Sequence, residues 1–283
     1  MNGFINLYKP QDMTSSSAVI KVRKILNVKK VGHLGTLDPL AEGVLPIAIG
    51  KGTKLFDLLL KKQKTYIARF LFGQETDTLD STGIITAETE FNANSKDVER
   101  ACLKFLGRIS QVPPKFSAKS IDGVRAYKLA RTGIEFDLKP KQVEIFSFNL
   151  IKQIARNEFE FEITCSSGTY IRSLARDLAY ELNSLGHMTK LIRTKAGLFE
   201  IANAVTLIEL EELQNTALLS IDFPIQDLEV FNVEKEYFRQ LSNGAKIQCN
   251  FNENCYKKIY CDNIFFGVGR CVNGILDLQF YLR

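Results

Sequence analysis

The chain of 283 residues is 45% hydrophobic and lacks tryptophan, which gives an ample core for one large domain, or for one with a small companion. Lys and Arg number 37 against 32 Asp and Glu, a formal charge of +5 that permits a polyanionic partner without demanding one. No apolar run approaches the ~18 residues of a membrane span. Met1 to Pro10 lacks the charged-then-apolar pattern of a leader, so the expectation is a cytoplasmic protein.

Phe4 to Tyr8 alternates and reads as a strand ending at Lys9-Pro10. Thr14 to Ser17 offer N-cap oxygens for a helix reaching about Asn27, with Ala18, Val19, Val22, Ile25 and Leu26 as its apolar stripe. Val31 to Gly50 is a loop feeding a buried strand. Gly32, Gly35 and Gly43 allow positive φ or close backbone approach. Pro39 fixes φ just after Asp38, while Leu34, Leu37 and Leu40 act as apolar anchors. One carboxylate, Asp38, is thereby presented on a stiff loop. On spacing alone such an Asp is a turn former bonding local N–H groups. A site of fixed geometry calls for the same arrangement.

Thr53 to Leu60 suits a short helix, and Lys64 to Phe72 a strand with Tyr66, Ala68, Phe70 and Phe72 on one face. By that pattern Tyr66 is core packing. Gly73 to Gly83 is a polar turn in which Asp77 and Asp80 cap amides, their spacing fitting no calcium loop. Ser95 N-caps a helix to about Phe105 that Gly107 closes. Pro113 and Pro114 keep Gln111 to Ala118 out of a central strand. Lys119 to Gly133, with Lys119, Arg125, Lys128 and Arg131, reads as a solvated basic loop and helix.

Lys141 to Lys152 and Glu158 to Cys165 are strands, the second alternating as in a half-buried sheet. Gly168 turns the chain and Thr169 N-caps a helix that turns Ile171, Leu174, Ala175, Leu178 and Leu182 to the core. Arg172 falls in its first turn, where the helix dipole disfavours a cation. An anion across the fold explains it better. After Asp222-Phe223-Pro224 the composition shifts. A short helix (Glu234 to Leu241), a turn at Asn243-Gly244 and short strands near Lys246, Tyr256, Phe265 and Leu276 follow, which divides the chain into 1–227 and 228–283.

Gly50-Lys51-Gly52-Thr53 fails the phosphate-loop pattern, and neither G-x-S-x-G nor H-E-x-x-H occurs. His33 and His187 are the only histidines, and the six cysteines form no C-x-x-C pair. No metal site is expected, and Cys102, Cys165, Cys249, Cys255, Cys261 and Cys271 are expected as thiols in a reducing compartment.

Four of these stretches, in order, resemble the TruB family of tRNA pseudouridine synthases. The string from His33 through Gly35, Asp38, Pro39, Gly43, Leu45 and Pro46 is similar to the family's signature loop. Lys64-Thr65-Tyr66 resembles its second motif, Gly168-Thr169-Tyr170-Ile171-Arg172 its third, and Leu191-Ile192-Arg193-Thr194 a segment that usually reads Leu-Arg-Arg-Thr. Tyr8-Lys9-Pro10, the Gly73 to Gly83 turn and Gln111 to Ala118 add weaker likenesses.

The resemblance implies an α+β fold: a pseudouridine-synthase core with a central mixed, largely antiparallel sheet flanked by helices, and a small C-terminal PUA-like β-barrel that binds RNA. It implies isomerisation of uridine 55 in the T-arm of tRNA, with no cofactor and no metal, by a monomer needing no obligate protein partner. Asp38 would be the nucleophile, paired with Arg172. Tyr66 would stack on the base, and Tyr170 and Leu191 would shape its pocket. His33, as loop brace or RNA wedge, with Lys9, Lys119, Arg125 and Arg193, would contact RNA. Ile192 in place of an arginine puts one backbone contact in doubt. Two rivals stand beside this: a non-catalytic tRNA-folding chaperone using the same surface, and a structural RNA-binding module in which Asp38 is only a turn residue.

Overall fold

The computed structural model describes residues 1–117, 120–121, 124–126, 129, 132, 136–249 and 255–283. In chain order the elements are β1 (Gly3–Lys9), α1 (Ser15–Ile25), β2 (Val31–His33), β3 (Glu42–Ile49), α2 (Phe56–Leu60) and β4 (Lys64–Phe72). Next come β5 (Gln74–Thr76), β6 (Ile85–Glu88), α3 (Ser95–Leu103), β7 (Gly107–Gln111), β8 (Ser120–Ile121), β9 (Val124–Arg125), β10 (Lys141–Ala155) and β11 (Glu158–Cys165). Then follow α4 (Ile171–Glu181), β12 (Gly186–Ala196), β13 (Phe199–Glu200), α5 (Leu207–Leu213), β14 (Val230–Val233) and α6 (Phe238–Ser242). The chain ends with β15 (Ile247–Gln248), β16 (Tyr256–Cys261), β17 (Ile264–Val272) and β18 (Ile275–Tyr281). No helix among the described residues is long and apolar enough to cross a membrane.

The central sheet has nine strands, ordered β1-β3-β12-β4-β11-β10-β7, with β2 added to β3 and β13 to β12. Only the β3–β12 pair is parallel, so the sheet is mixed and largely antiparallel, as expected. The period-2 pattern of β4 buries Tyr66, Ala68, Phe70 and Phe72 on one face. Phe70 packs 4.9 Å from Phe161 of the next strand, ring centre to ring centre, an aromatic cross-strand pair that pins the register. α4 lays Leu174, Ala175 and Leu178 on this face and closes the main core.

The start of α1 matches the sequence reading, and the ends of α3 and α4 differ from it. Thr14 caps α1 by accepting from the Ser17 amide. α3 is capped by Asn94 rather than Ser95, because Asn94 and Asp97 exchange side-chain and backbone bonds as a capping box. Gly107 does not close α3, which ends at Leu103. With φ at +84° it turns the chain into β7 instead. Thr169 donates to the Ser166 carbonyl, and Tyr170, with no side-chain bond of its own, is the N-cap of α4.

The terminal unit is a five-stranded sheet ordered β14-β16-β17-β18-β15, open at its two edge strands among the described residues rather than a closed barrel. It has its own apolar cluster of Leu241, Ile259, Phe266 and Leu276. A further cluster joins Phe4, Leu55, Phe199 and Ile225 to Val268 and Leu282, so this sheet is sealed onto the back of β1 and β3. Cys249 and Cys271 form a disulfide, which corrects the expectation of six thiols. Cys102, Cys165 and Cys261 are buried thiols. Spacing could not show the pairing, because it is made when β17 brings Cys271 beside the chain that follows β15.

Candidate active site

Asp38 lies in a loop with no ladder hydrogen bonds between β2 and β3, so side chains from elsewhere hold it. Leu37 and Leu40 are buried in the main core, as anchors should be. Ser15, in the first turn of α1, both donates to the Leu37 carbonyl and accepts from the Leu37 amide, each at 2.9 Å. Lys9 is wholly buried, and its ammonium donates to the carbonyls of Pro10, Met13 and Pro39. Burial pulls its pKa down to about 8 although the Asp38 charge opposes the shift. Arg193 is 1% exposed and donates to the carbonyls of Val44, Gly35 and Thr36 from beneath. β12 passes so close to Gly43 (φ +103°) that a Cβ there would sit 2.4 Å from the Arg193 carbonyl oxygen, so the position demands glycine. Two cations thus supply donors under an irregular segment, their charged ends taken up by its carbonyls and by those of the chain beside it.

Arg172 comes from the opposite side, at the start of α4. Its Nε lies 2.9 Å from Asp38 Oδ2 and its Nη1 lies 3.4 Å from Asp80 Oδ2. The contact with Asp38 is an ion pair rather than a hydrogen bond, because the Nε–H direction misses the carboxylate and that atom has no hydrogen-bond partner. The fork is aimed by Nη1 donating to the Thr78 carbonyl and Nη2 to the Phe116 carbonyl. The cation at a helix N-terminus is therefore answered by two carboxylates. Gln111 sets the helix start: its carboxamide accepts from the Tyr170 amide at 2.8 Å and donates to the Tyr170 carbonyl at 3.1 Å.

Between these walls is a cavity of about 260 Å³ lined by Asp38, Tyr66, Tyr170, Arg172, Leu191 and Arg193, with Ser117 and Lys64 among the other lining residues. The register of β4 with β12 sets Arg193 opposite Tyr66 and Leu191 opposite Ala68, which puts these side chains on one face. Burial raises the Tyr66 hydroxyl to about 12, so it remains a proton donor at neutral pH. Lys64 donates to the carbonyls of Leu60 and Lys62, and burial together with nearby Arg193 lowers its pKa to about 8.

The structure therefore brings together Asp38, Tyr66, Tyr170, Arg172 and Leu191, residues drawn from four separate stretches of the sequence. Lys9 and Arg193, expected as RNA contacts, are instead buried braces of the loop, because their charged ends are taken up by backbone carbonyls. His33 sits in β2, its Nδ1 buried without a hydrogen-bond partner and its pKa lowered by burial and then by Arg193. Lys119 and the side chain of Arg125 lie outside the described residues. Sequence reasoning missed Asp80, Ser15 and Gln111 as supports. Asp80 does cap an amide, that of Thr82, yet its other oxygen faces Arg172. Nothing in the spacing of residues 15 and 37, or 111 and 170, signals that they meet.

Comparison with known proteins places the chain in a family. A TruB family pseudouridylate synthase N-terminal model matches residues 23–171, and a tRNA pseudouridylate synthase B C-terminal model matches residues 172–226. The chain is 41% identical over 253 residues to a protein of Alkaliphilus oremlandii named tRNA pseudouridine synthase B, covering 89% of this chain and 84% of that one. It is 40% identical over 277 residues to a protein of the same name from Ehrlichia chaffeensis, covering 95% and 93%. In fold it is similar to a chain of a Cbf5–Nop10–Gar1 complex, with a TM-score of 0.78 at 22% identity, over 99% of this chain and 85% of that one. A chain of an H/ACA ribonucleoprotein bound to a substrate RNA gives a TM-score of 0.76 at 20% identity, over 99% and 85%. With family models matched along most of its length and relatives near 40% identity, the chain belongs to the TruB family of pseudouridylate synthases.

Proposed function

We propose that the chain converts uridine 55 in the T-arm of tRNA to pseudouridine, with Asp38 as nucleophile. The observation that carries this reading is the Asp38 carboxylate, one third exposed, held against the buried Arg172 guanidinium at the edge of a base-sized cavity. The reaction breaks the N1–C1′ glycosidic bond, turns the uracil, forms a C5–C1′ bond, takes the proton from C5 and returns one to N1, and any bond that Asp38 makes to the nucleotide is broken again before release. Atoms and electrons balance without a co-reactant. A uridine inside a folded arm must first be extruded, at a cost of a few kcal/mol. Tyr66 and Leu191 offset part of it by packing against the base, since a base on an aromatic face gains ~1–3 kcal/mol. Arg172 holds the carboxylate in place and Tyr170 closes the pocket beside it. Residues 1–227 form the catalytic unit. Residues 228–283 act as a PUA-like appendage that grips RNA backbone and shape.

The test is tritium release from tRNA carrying 5-tritiated uridine, with the wild type beside Asp38→Asn. The expected result is release by the wild type, a fall of at least about 10³-fold in the variant, and tRNA affinity within about threefold of wild type. Turnover by the variant near the wild-type rate would remove Asp38 from the chemistry. Absence of release from both, with tRNA still bound, would leave an RNA-binding protein in which Asp38 is a turn residue.

A further inference from the structure

Four buried side-chain polar atoms among the described residues have no hydrogen-bond partner: Asn6 Oδ1, His33 Nδ1, Ser117 Oγ and Arg172 Nε. Two of them, on Ser117 and Arg172, belong to residues that line the Asp38 cavity. Buried polar groups are nearly always paired, so an orphan on a cavity wall calls for a reason. Arg172 has one, because Asp38 neutralises its charge. Ser117 has none within the protein.

Ser117 is 4% exposed and firmly held. Its amide donates to the Lys115 carbonyl, and the carbonyl of the preceding Phe116 accepts from Arg172 Nη2. Earlier in the same segment the Val112 carbonyl accepts from Ser173 Oγ and Arg176 Nη2 of α4. Pro113 and Pro114 stiffen the stretch between. The segment is thus tied to the helix that carries Arg172, and Ser117 lies in the wall of the same cavity with its hydroxyl buried. A hydroxyl in that position is a donor kept for a group that arrives from outside.

We infer that Ser117 contacts the substrate, donating a hydrogen bond to an oxygen of the extruded nucleotide, either a uracil carbonyl or the ribose 2′-hydroxyl. This rests on the reading of the cavity as the nucleotide pocket. Arg172 then sets two things at once, the carboxylate on one wall and the substrate donor on the other.

The experiment uses the full chain with T-arm stem-loop RNAs carrying uridine, 4-thiouridine, 2-thiouridine or 2′-deoxyuridine at the target. Ser117→Ala lowers kcat/KM on the uridine RNA about tenfold, the loss of one hydrogen bond, while Ser117→Thr recovers most of it. RNA affinities are compared with and without Ser117→Ala in an Asp38→Asn background, which keeps the RNA unreacted. The alanine penalty disappears on the one analogue that lacks the acceptor, which separates carbonyl from ribose. The thermal midpoint of Ser117→Ala does not fall, because an unpaired buried hydroxyl contributes no stability. Wild-type kinetics in Ser117→Ala, an equal penalty on all four RNAs, or a midpoint that falls with activity would overturn the inference. Inactivity of the wild type toward tRNA would overturn the reading of the cavity instead.

Discussion

The loop that carries Asp38 and the sheet that ends the chain are stabilised in opposite ways. β16, β17 and β18 exchange ladder hydrogen bonds along their length, and the terminal sheet adds an apolar cluster and a disulfide. The Asp38 loop has no ladder. Its carbonyls are met by the Lys9 ammonium, the Arg193 guanidinium and the Ser15 hydroxyl, which reach it from β1, β12 and α1. A ladder distributes its stability over many interchangeable bonds. A braced loop depends on a few side chains, each positioned by a different part of the fold, and so gains a fixed geometry that single substitutions can undo.

The largest break in this comparison comes from Lys9→Met. It leaves the Pro10 and Met13 carbonyls without the ammonium, and the Pro39 carbonyl with the Asp12 amide alone, which costs on the order of 3 kcal/mol in chemical denaturation. It also lowers kcat about 10²-fold through displacement of the carboxylate. The pH dependence sharpens the same point. The folded pKa of Lys9 is near 8, below its ordinary 10.5, so the unfolded chain holds more protons between those values. Its contribution therefore makes the protein more stable as pH rises from about 8 to 10.5. That rise, measured by urea titration along the pH series, is smaller in Lys9→Met. Lys64 shifts in the same direction and accounts for part of the slope that remains.

Ser15→Ala is the intermediate case. It removes both bonds to Leu37 and leaves an amide and a carbonyl unpaired in the core, a loss of about 2 kcal/mol. Steady-state kinetics are expected to show a lower kcat with KM little changed, because the loop moves while the rest of the cavity stays. If kcat held at the wild-type value, the loop would not depend on this brace.

The smallest effect on chemistry belongs to the terminal sheet. Reduction of the Cys249–Cys271 bond, which closes a loop of 22 residues, lowers unfolding free energy by about 3 kcal/mol. Yet kcat at saturating tRNA stays unchanged, because no described residue beyond Arg193 lines the cavity. A fall in kcat on reduction would mean that the two regions are coupled and the contrast between them is wrong.

Local pattern was enough for β4 and β11, though not for β7 or for β12, which pairs with β4 inside the sheet. The alternation of Tyr66 to Phe72 and of Phe159 to Cys165 reports which face is buried, because a strand has period 2 whatever it packs against. The loop was legible as a loop from its glycines and Pro39. The cation in the first turn of α4 signalled an anion partner through the helix dipole, and Asp38 and Asp80 are both there. Caps were less legible. Asn94, not Ser95, closes α3, since adjacent polar residues compete for that role and a one-residue choice turns on backbone angles.

Charge was misread most at Lys9 and Arg193. In a sequence a lysine at a strand end or an arginine in a polar run looks solvated. Only packing reveals that both are enclosed and given to backbone carbonyls. The sequence by itself determined the family, the alternating strands β1, β4 and β11, the stiff loop and the need for an anion near Arg172, because each is written in neighbouring residues or in short motifs. The tertiary structure alone decided that Ser15 holds Leu37, that Gln111 holds Tyr170, that Asp80 shares the guanidinium and that Ser117 lines the cavity. Those contacts join residues far apart in the chain, and hydrogen bonds between distant groups leave no periodicity for a sequence to show.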